Sequence, residues 1–319
     1  MESTEGKRLS ALIKDKAEEL GFDLCGIAKA GVLSENGRIL EKWCEAGMNA
    51  GMSYLGRNIE KRINPGFLLE GAKTLVVTGL CYYSEIKQKD PYAPVLSRYA
   101  YGLNYHDVIT SKLEILLEFI RTLDPSCRGR AFCDSGPLLE KAWARMAGLG
   151  WQGRHSVMIN KDIGSFFFIG TLVLDMELEY DKPFDGNYCG TCRACIEACP
   201  TGAINDDNTI DARKCIANLT IENRGPIPED IIPRLGGRVY GCDACQQVCP
   251  WNNLPGCKHH PEFQLNEEVA AMSREEWLSL TEEQYLRLFK NSAVERVKYS
   301  DLIRNIKAAV RSMDYPRSR

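Results

Sequence analysis

The 319-residue chain has little that would place it in a membrane or outside a cell. Its start, MESTEGKRLS, has neither an apolar core nor a small-residue cleavage site, so no signal peptide is read there and a cytoplasmic protein is expected. The longest apolar run, FFFIGTLVL at 166–174, falls far short of the roughly 20 residues of a spanning helix, and no membrane partner is expected. Charge of one sign is missing too. Lys and Arg number 40 against 43 Asp and Glu, a net −3, so a nucleic-acid partner must be met by local patches rather than by a global basic field. Histidine is scarce, with four in the chain, which narrows the choice of acid–base groups and of nitrogen ligands. There is no repeat of solenoid period and no low-complexity segment. What remains, at 44% hydrophobic residues, can bury a core.

Cysteine is not scarce. There are 14, and in a reducing compartment clustered cysteines point to metal or catalysis before disulfides. CGTCRACIEACP, 189–200, has the C-x2-C-x2-C-x3-C-P spacing of a bacterial [4Fe–4S] ferredoxin run. Three closely spaced thiolates wrap three corners of one cube. The fourth, one helical turn on, points toward a neighbouring cube. CDACQQVCPW, 242–251, repeats the last three positions and lacks the first, which Cys215 can supply. With the fourth cysteines exchanged between runs, one cluster takes Cys189, Cys192, Cys195 and Cys249, and the other Cys199, Cys215, Cys242 and Cys245. Structural zinc is the competing reading, but it favours two separated C-x2-C knuckles. The other six cysteines (25, 44, 81, 127, 133 and 257) show no ligand spacing and are expected as buried thiols.

Helical and strand patterns alternate up to about residue 180. LSALIKDKAEEL, SKLEILLEFIRTL and LLEKAWARMAGLG read as helices. FDLCGIAKA, KTLVVTGLCYY, GRAFCD, HSVMIN and SFFFIGTLVLDMEL read as strands. This predicts an α/β (α+β) layered domain over 1–180, a ligand-held ferredoxin-like module over 181–260 and a helical segment over 261–319.

In the first domain, GLGWQG at 148–153 imitates a dinucleotide fingerprint. A helix precedes it and a strand follows, the reverse of what that site needs, so a helix cap and tight turn is the better reading. Asp134 ends a strand in a Cys-Asp-Ser-Gly-Pro turn and is either a catalytic acid or a turn cap. His155 opens a strand, and His259 and His260 are expected at the surface. The stretch 295–319 carries seven Lys and Arg against three acids, a solvated face or a phosphate-binding edge.

Taken together, GMSYLGRN, SRYAYGLNYH, FCDSGPLLEKAWARMAGLGWQGRHSVMIN, GSFFFIGTLVL, CIANLTIENRGPIP and YGCDACQQVCPWN resemble the cobalamin-dependent epoxyqueuosine reductases, nearly end to end. The resemblance implies a corrinoid-binding α/β domain related to reductive dehalogenases and cobalamin-processing reductases. Two [4Fe–4S] clusters would feed the corrinoid electrons, and the substrate would be tRNA bearing epoxyqueuosine. No D-x-H-x-x-G is present to supply a histidine to cobalt, which fits base-off cobalamin. The resemblance makes Asp134 the proton donor. It places Arg57, Ser97, Asp134, Met158, Arg224, Cys242 and Asp243 against the corrin, and Arg154, His155 and Ser156 at its nucleotide tail. Many members continue into HEAT-like repeats beyond the equivalent of residue 312, whereas this sequence ends at Arg319. A monomer served by a separate electron donor is expected. The alternatives are a dehalogenase-like corrinoid reductase acting on a small molecule and a bare electron carrier. The second leaves some 180 residues of α/β domain without a task.

Overall fold

The computed structural model describes residues 4–253 and 256–315. Its strands are β1 (Leu24–Lys29), β2 (Thr74–Cys81), β3 (Val95–Leu96), β4 (Gly129–Phe132), β5 (Trp151–Gln152), β6 (Met158–Ile159), β7 (Phe167–Leu174) and β8 (Arg238–Tyr240). The first five helices are α1 (Thr4–Glu19), α2 (Ser34–Glu45), α3 (Ile59–Ile63), α4 (Tyr105–Leu123) and α5 (Glu140–Met146). Three short ones follow in the cysteine-rich part: α6 (Ala194–Glu197), α7 (Ile216–Ile221) and α8 (Ala244–Gln247). Then come α9 (Glu267–Ala271), α10 (Arg274–Leu278), α11 (Glu282–Leu288) and α12 (Tyr299–Met313).

The main sheet has the order β1–β2–β7–β4, and every pair in it is antiparallel. Helix–strand alternation in the sequence would equally suit a parallel sheet. Here β2 reaches across the chain to β7 instead, Thr74 opposite Leu174 and Cys81 opposite Phe167. All eight residues of β2 are buried, because both faces of the sheet are covered. Successive side chains point to opposite faces. Val76, Leu80, Phe168 and Leu172 join Ile109, Leu113 and Leu116 of α4 on one side. Leu75, Val77, Phe167 and Val173 join Trp143 and Ala144 of α5 on the other. Each such aliphatic side chain contributes about 1.5–3 kcal/mol by leaving water, so a charge at Val77 would unseat the α5 face.

The GLGWQG stretch is the helix cap and turn expected of it. Gly148 has φ +80° and closes α5 by donating to the Arg145 carbonyl at 3.0 Å. A Cβ on Gly150 would lie 2.0 Å from the Ile159 carbonyl oxygen, so only glycine lets the β5–β6 hairpin close. HSVMIN is correspondingly a two-residue strand, Met158 and Ile159.

The C-terminal helices pack Trp277, Tyr285, Phe289 and Leu302 onto Leu96, Tyr101 and Tyr240, so they share a core with residues from both earlier segments. Trp43 Nε1 donates to the Ile210 carbonyl at 2.8 Å, and Ala212 N–H to that of Met48 at 2.9 Å, tying α2 to the cysteine-rich part. No helix among the described residues is long and apolar enough to cross a membrane.

Three expectations are corrected. Cys81 and Cys257 form a disulfide across 176 residues rather than two free thiols, because β2 ends where the chain returns after the second cysteine run. Cys127 and Cys133 are buried free thiols, while Cys25 and Cys44 are half-buried ones. His260 is buried, not at the surface, with Nε2 2.9 Å from Asp23 Oδ2. His259 is exposed as expected.

Candidate active site and cluster cavities

β4 stops at Phe132, and the chain turns through Cys133 and Asp134. Asp134 takes φ +56°, a left-handed conformation that Asp tolerates better than most residues. Two contacts hold it there. Its N–H donates to Glu140 Oε1 at 2.8 Å, and its Oδ2 accepts from the Tyr105 hydroxyl at 2.6 Å. The side chain is 65% exposed, so the polypeptide alone does not desolvate this acid.

The residues that frame Asp134 were not singled out by the sequence, although Tyr105 and His106 lie inside SRYAYGLNYH. Asn104 caps α4 by accepting from the His106 N–H, which sets both residues on the first helical turn. Tyr105 is clamped between Phe168 and His106, each with ring centroids 4.2 Å away. His106 Nδ1 lies 3.0 Å from the Cys133 carbonyl. Nδ1 therefore carries the proton, and Nε2 lies 3.7 Å from Asp134 Oδ2. Glu140 is half-buried, and desolvation followed by the Asp134 charge pushes its pKa up to about 8. Lys141 reaches solvent, yet desolvation lowers its pKa against the pull of Asp134 and Glu140. Lys141 is thus an exposed cation set beside two carboxylates. Lys141 Nζ donates to the Ser156 carbonyl at 2.8 Å.

The corrin contacts implied by the resemblance are not all gathered around Asp134. Ser97 and Asp243 are buried and satisfy each other, with the Ser97 hydroxyl donating to Asp243 Oδ1. Asp243 Oδ2 accepts from the Arg98 N–H at 2.9 Å and faces its guanidinium at 3.5 Å. This network sits beside Cys242. Arg224 is held to α12 through Asp301 at 3.1 Å. Met158 is fully buried in the cluster that contains Trp143. Arg57 is exposed in the loop before α3. Ser156, at φ +63°, accepts from Gln152 at 2.8 Å. Of the basic C-terminal stretch, Arg296 pairs with Glu222 and Arg311 with Glu229, while Arg304 donates to the carbonyls of Asn223 and Gly225. Arg317 and Arg319 lie outside the described residues.

The eight cysteines fall into two groups. Cys189, Cys192, Cys195 and Cys249 line one cavity of about 270 Å³, together with Arg154 and His155. Burial raises the Cys249 thiol, and its neighbours Cys189, Cys195 and Cys192 raise it further. Cys245 is raised well above the ordinary thiol value by burial, then by Cys242, Cys215 and Cys199. Cys249 is thus crowded by the three other cysteines of its assigned group, and Cys245 by the three of its own and by Cys195 of the other. A polycationic iron–sulfur core would supply the counter-charge these thiolates lack. Among the described residues, no three His, Cys, Asp or Glu converge as a single ion would require. The first cavity holds Cys192, the one exposed thiol of the eight, and is termed the outer one on that ground, although Cys195 and Cys249 in it are buried and desolvation raises thiols in both groups.

Two donors in the first cavity are orphaned. Arg154 gives one guanidinium nitrogen to the Gly190 carbonyl at 2.9 Å, but its buried Nε has no partner. His155 is 4% exposed. Its Nδ1 accepts from the Val157 N–H at 3.2 Å, while its buried Nε2 has no partner. Burial and Lys141 depress its pKa to about 4, so the ring is neutral. A buried donor left unmade costs about 1–3 kcal/mol.

Comparison with known proteins accounts for this combination. Residues 62–135 match the family described as epoxyqueuosine reductase QueG, DUF1730, and residues 188–252 match a 4Fe-4S double cluster binding domain. An epoxyqueuosine reductase of Cellulophaga algicola is 43% identical over 297 residues, 93% of this chain and 96% of that one. The Escherichia coli epoxyqueuosine reductase is 37% identical over 308 residues, 95% of this chain and 81% of that one. An epoxyqueuosine reductase solved with an epoxyqueuosine-modified tRNA-Tyr stem loop superposes with TM-score 0.88 at 28% identity, covering 96% of this chain and 82% of that one. A reductive dehalogenase shares the fold at 17% identity and TM-score 0.50, over 95% of this chain and 39% of that one. Near full-length identity of this order, with the aspartate turn and both cysteine runs in place, means that the chain belongs to the epoxyqueuosine reductase family.

Proposed function

We propose that this protein reduces epoxyqueuosine in the wobble position of tRNA to queuosine, with two electrons and two protons taken up and water released. What carries the reading is one exposed aspartate, held on its turn by Tyr105 and Glu140, in a member of this family whose cysteines gather in two groups of four.

Asp134 acts as the proton donor. Tyr105 donates to Oδ2, which leaves Oδ1 as the atom that carries the proton toward the epoxide oxygen. Protonation there spares the reaction a bare alkoxide leaving group. Glu140 and the Tyr105 clamp keep the carboxyl in place between turnovers, and bound substrate supplies the desolvation that the polypeptide does not. Cobalamin would be held near Asp134, Lys141 and Ser156, with the Ser97–Asp243 network beside Cys242 contributing to its support. When bound it supplies low-potential cobalt chemistry at the epoxide. Arg57, Met158 and Arg224 contribute to that binding through the loops and backbone around them. Cys189, Cys192, Cys195 and Cys249 hold an outer [4Fe–4S] cluster, and Cys199, Cys215, Cys242 and Cys245 an inner one. Exposed Cys192 would face a separate electron donor, and Cys242, next to Asp243, would face the cobalamin side. The protein works as a cytoplasmic monomer, with divisions near residues 180 and 260.

Anaerobic turnover tests this. Protein reconstituted with iron and sulfide, given cobalamin and a low-potential reductant, converts epoxyqueuosine-bearing tRNA to queuosine-bearing tRNA, read by nucleoside analysis. Failure with both clusters and cobalamin bound would refute the substrate assignment.

A further inference from the structure

We infer that His155 and Arg154 donate their buried Nε2–H and Nε–H groups to the sulfur of the outer cluster and thereby hold its reduction potential up. The inference rests on the cluster assignment proposed above and goes beyond it, since neither side chain is a ligand.

The geometry brings these donors to the four-cysteine cavity rather than to the nucleotide tail that the resemblance implied. Imidazole carries a single proton when neutral. Nδ1 already accepts the Val157 N–H, so the proton is on Nε2. That nitrogen is buried without a protein partner, and the ring lines the cavity formed by Cys189, Cys192, Cys195 and Cys249. Arg154 enters the same cavity. Its outer nitrogens are tied to Gly190 and Asn208, which aligns the guanidinium and leaves the equally buried Nε unpaired. Two convergent orphan donors beside four thiolates describe a hydrogen-bonded cluster environment. Gly153 lets the histidine approach, since a Cβ there would lie 3.0 Å from its Cε1.

The sign follows from charge. Reduction adds one negative charge to the cube. An N–H donor to sulfur stabilises the more negative state more than the less negative one. Removing a donor therefore lowers the potential of the outer cluster and leaves the inner one unchanged. An outer cluster poised higher accepts electrons more readily from a donor docked at exposed Cys192.

The test uses the reconstituted protein and reads potentials, not turnover. His155→Phe removes the N–H at similar ring volume, and His155→Gln restores an N–H donor. EPR-monitored titration should show one midpoint lowered in His155→Phe, largely recovered in His155→Gln, and the second midpoint unmoved in both. Arg154→Met should lower the same midpoint. Unchanged midpoints in His155→Phe with both clusters present would overturn the inference. Should His155→Phe fail to hold its cluster, the unmutated protein labelled with 15N-histidine decides: a hyperfine coupling from histidine nitrogen to the reduced outer cluster supports the inference, and its absence overturns it. A parent protein that assembles fewer than two cubes would overturn the cluster assignment itself, a failure distinct from unmoved potentials and one that takes this inference with it.

Discussion

Asp243→Ala is the most demanding test of how the cluster-bearing part is joined to the catalytic part. The Asp243 carboxylate accepts from the Ser97 hydroxyl and the Arg98 N–H and faces the Arg98 guanidinium, with 10% and 5% exposure on the two charged side chains. Arg98 also stacks over Tyr83 and Phe166 and donates to the Ser84 carbonyl at 3.0 Å, so it cannot swing out to water. Alanine would leave a buried cation without its counter-ion. Breaking such a pair from one side costs about 3–5 kcal/mol, a large part of the roughly 5–15 kcal/mol by which domains are stable. At 1.4 kcal/mol per decade this is roughly a 10²- to 10⁴-fold shift toward opened forms. Cysteines 242 and 245 flank Asp243, so the inner cluster should be lost first. Anaerobic urea titration followed by cluster absorbance reads this, compared by midpoint because a cofactor-bearing chain need not unfold in two states. Arg98→Met with Asp243→Leu removes both charges at similar volume and should recover most of the loss. An Asp243→Ala cost below about 1 kcal/mol, the range of exposed pairs, would refute the idea that this pair staples the two parts.

Asp134→Asn keeps a residue that tolerates positive φ and keeps the bond from Tyr105, but it cannot give up a proton. Its kcat should fall by roughly 10²- to 10⁴-fold with clusters and cobalamin retained, and unchanged turnover would contradict the proton-donor role. Cys215→Ala should halve the iron content, because only the inner cluster uses that ligand; two intact clusters would contradict the exchanged pairing. Glu140→Gln should change how stability depends on pH. With its folded pKa near 8 against the ordinary 4.5, Glu140 keeps a proton that the unfolded chain has already lost, so the parent loses stability as pH rises between those values. The glutamine variant lacks that slope, and its advantage over the parent should grow with pH across the window; a Tm difference that stays constant there would contradict the shift.

The cysteine runs were legible because a cubane ties its ligands to short, local spacings, and the exchange rule then extends them to Cys249 and Cys215. The strands and long helices were legible because burial on one or both faces writes a period into the sequence. Antiparallel pairing was not, since which strand lies beside β2 is decided by contacts some 90 residues apart, and the Cys81–Cys257 link by one 176 residues apart. His260 failed for a related reason: its partner Asp23 comes from the opposite end of the chain, and a polar loop offers no local sign that it will be buried. Tyr105 and Glu140 were invisible in another way. Neither breaks a local rule, and each matters only through a hydrogen bond to Asp134 at a place where two elements meet. Asp134 itself could be suspected, because a Cys-Asp-Ser-Gly-Pro turn at a strand end is locally unusual. Arg154 and His155 lie between these cases. Sequence likeness sends them to the cobalamin nucleotide tail, whereas their unpaired N–H groups lie in the cavity of four cysteines, which is the ground for the inference drawn above. A motif identifies the cofactor a stretch belongs to, while the direction of each donor is set by whichever neighbouring acceptors the fold has already used up.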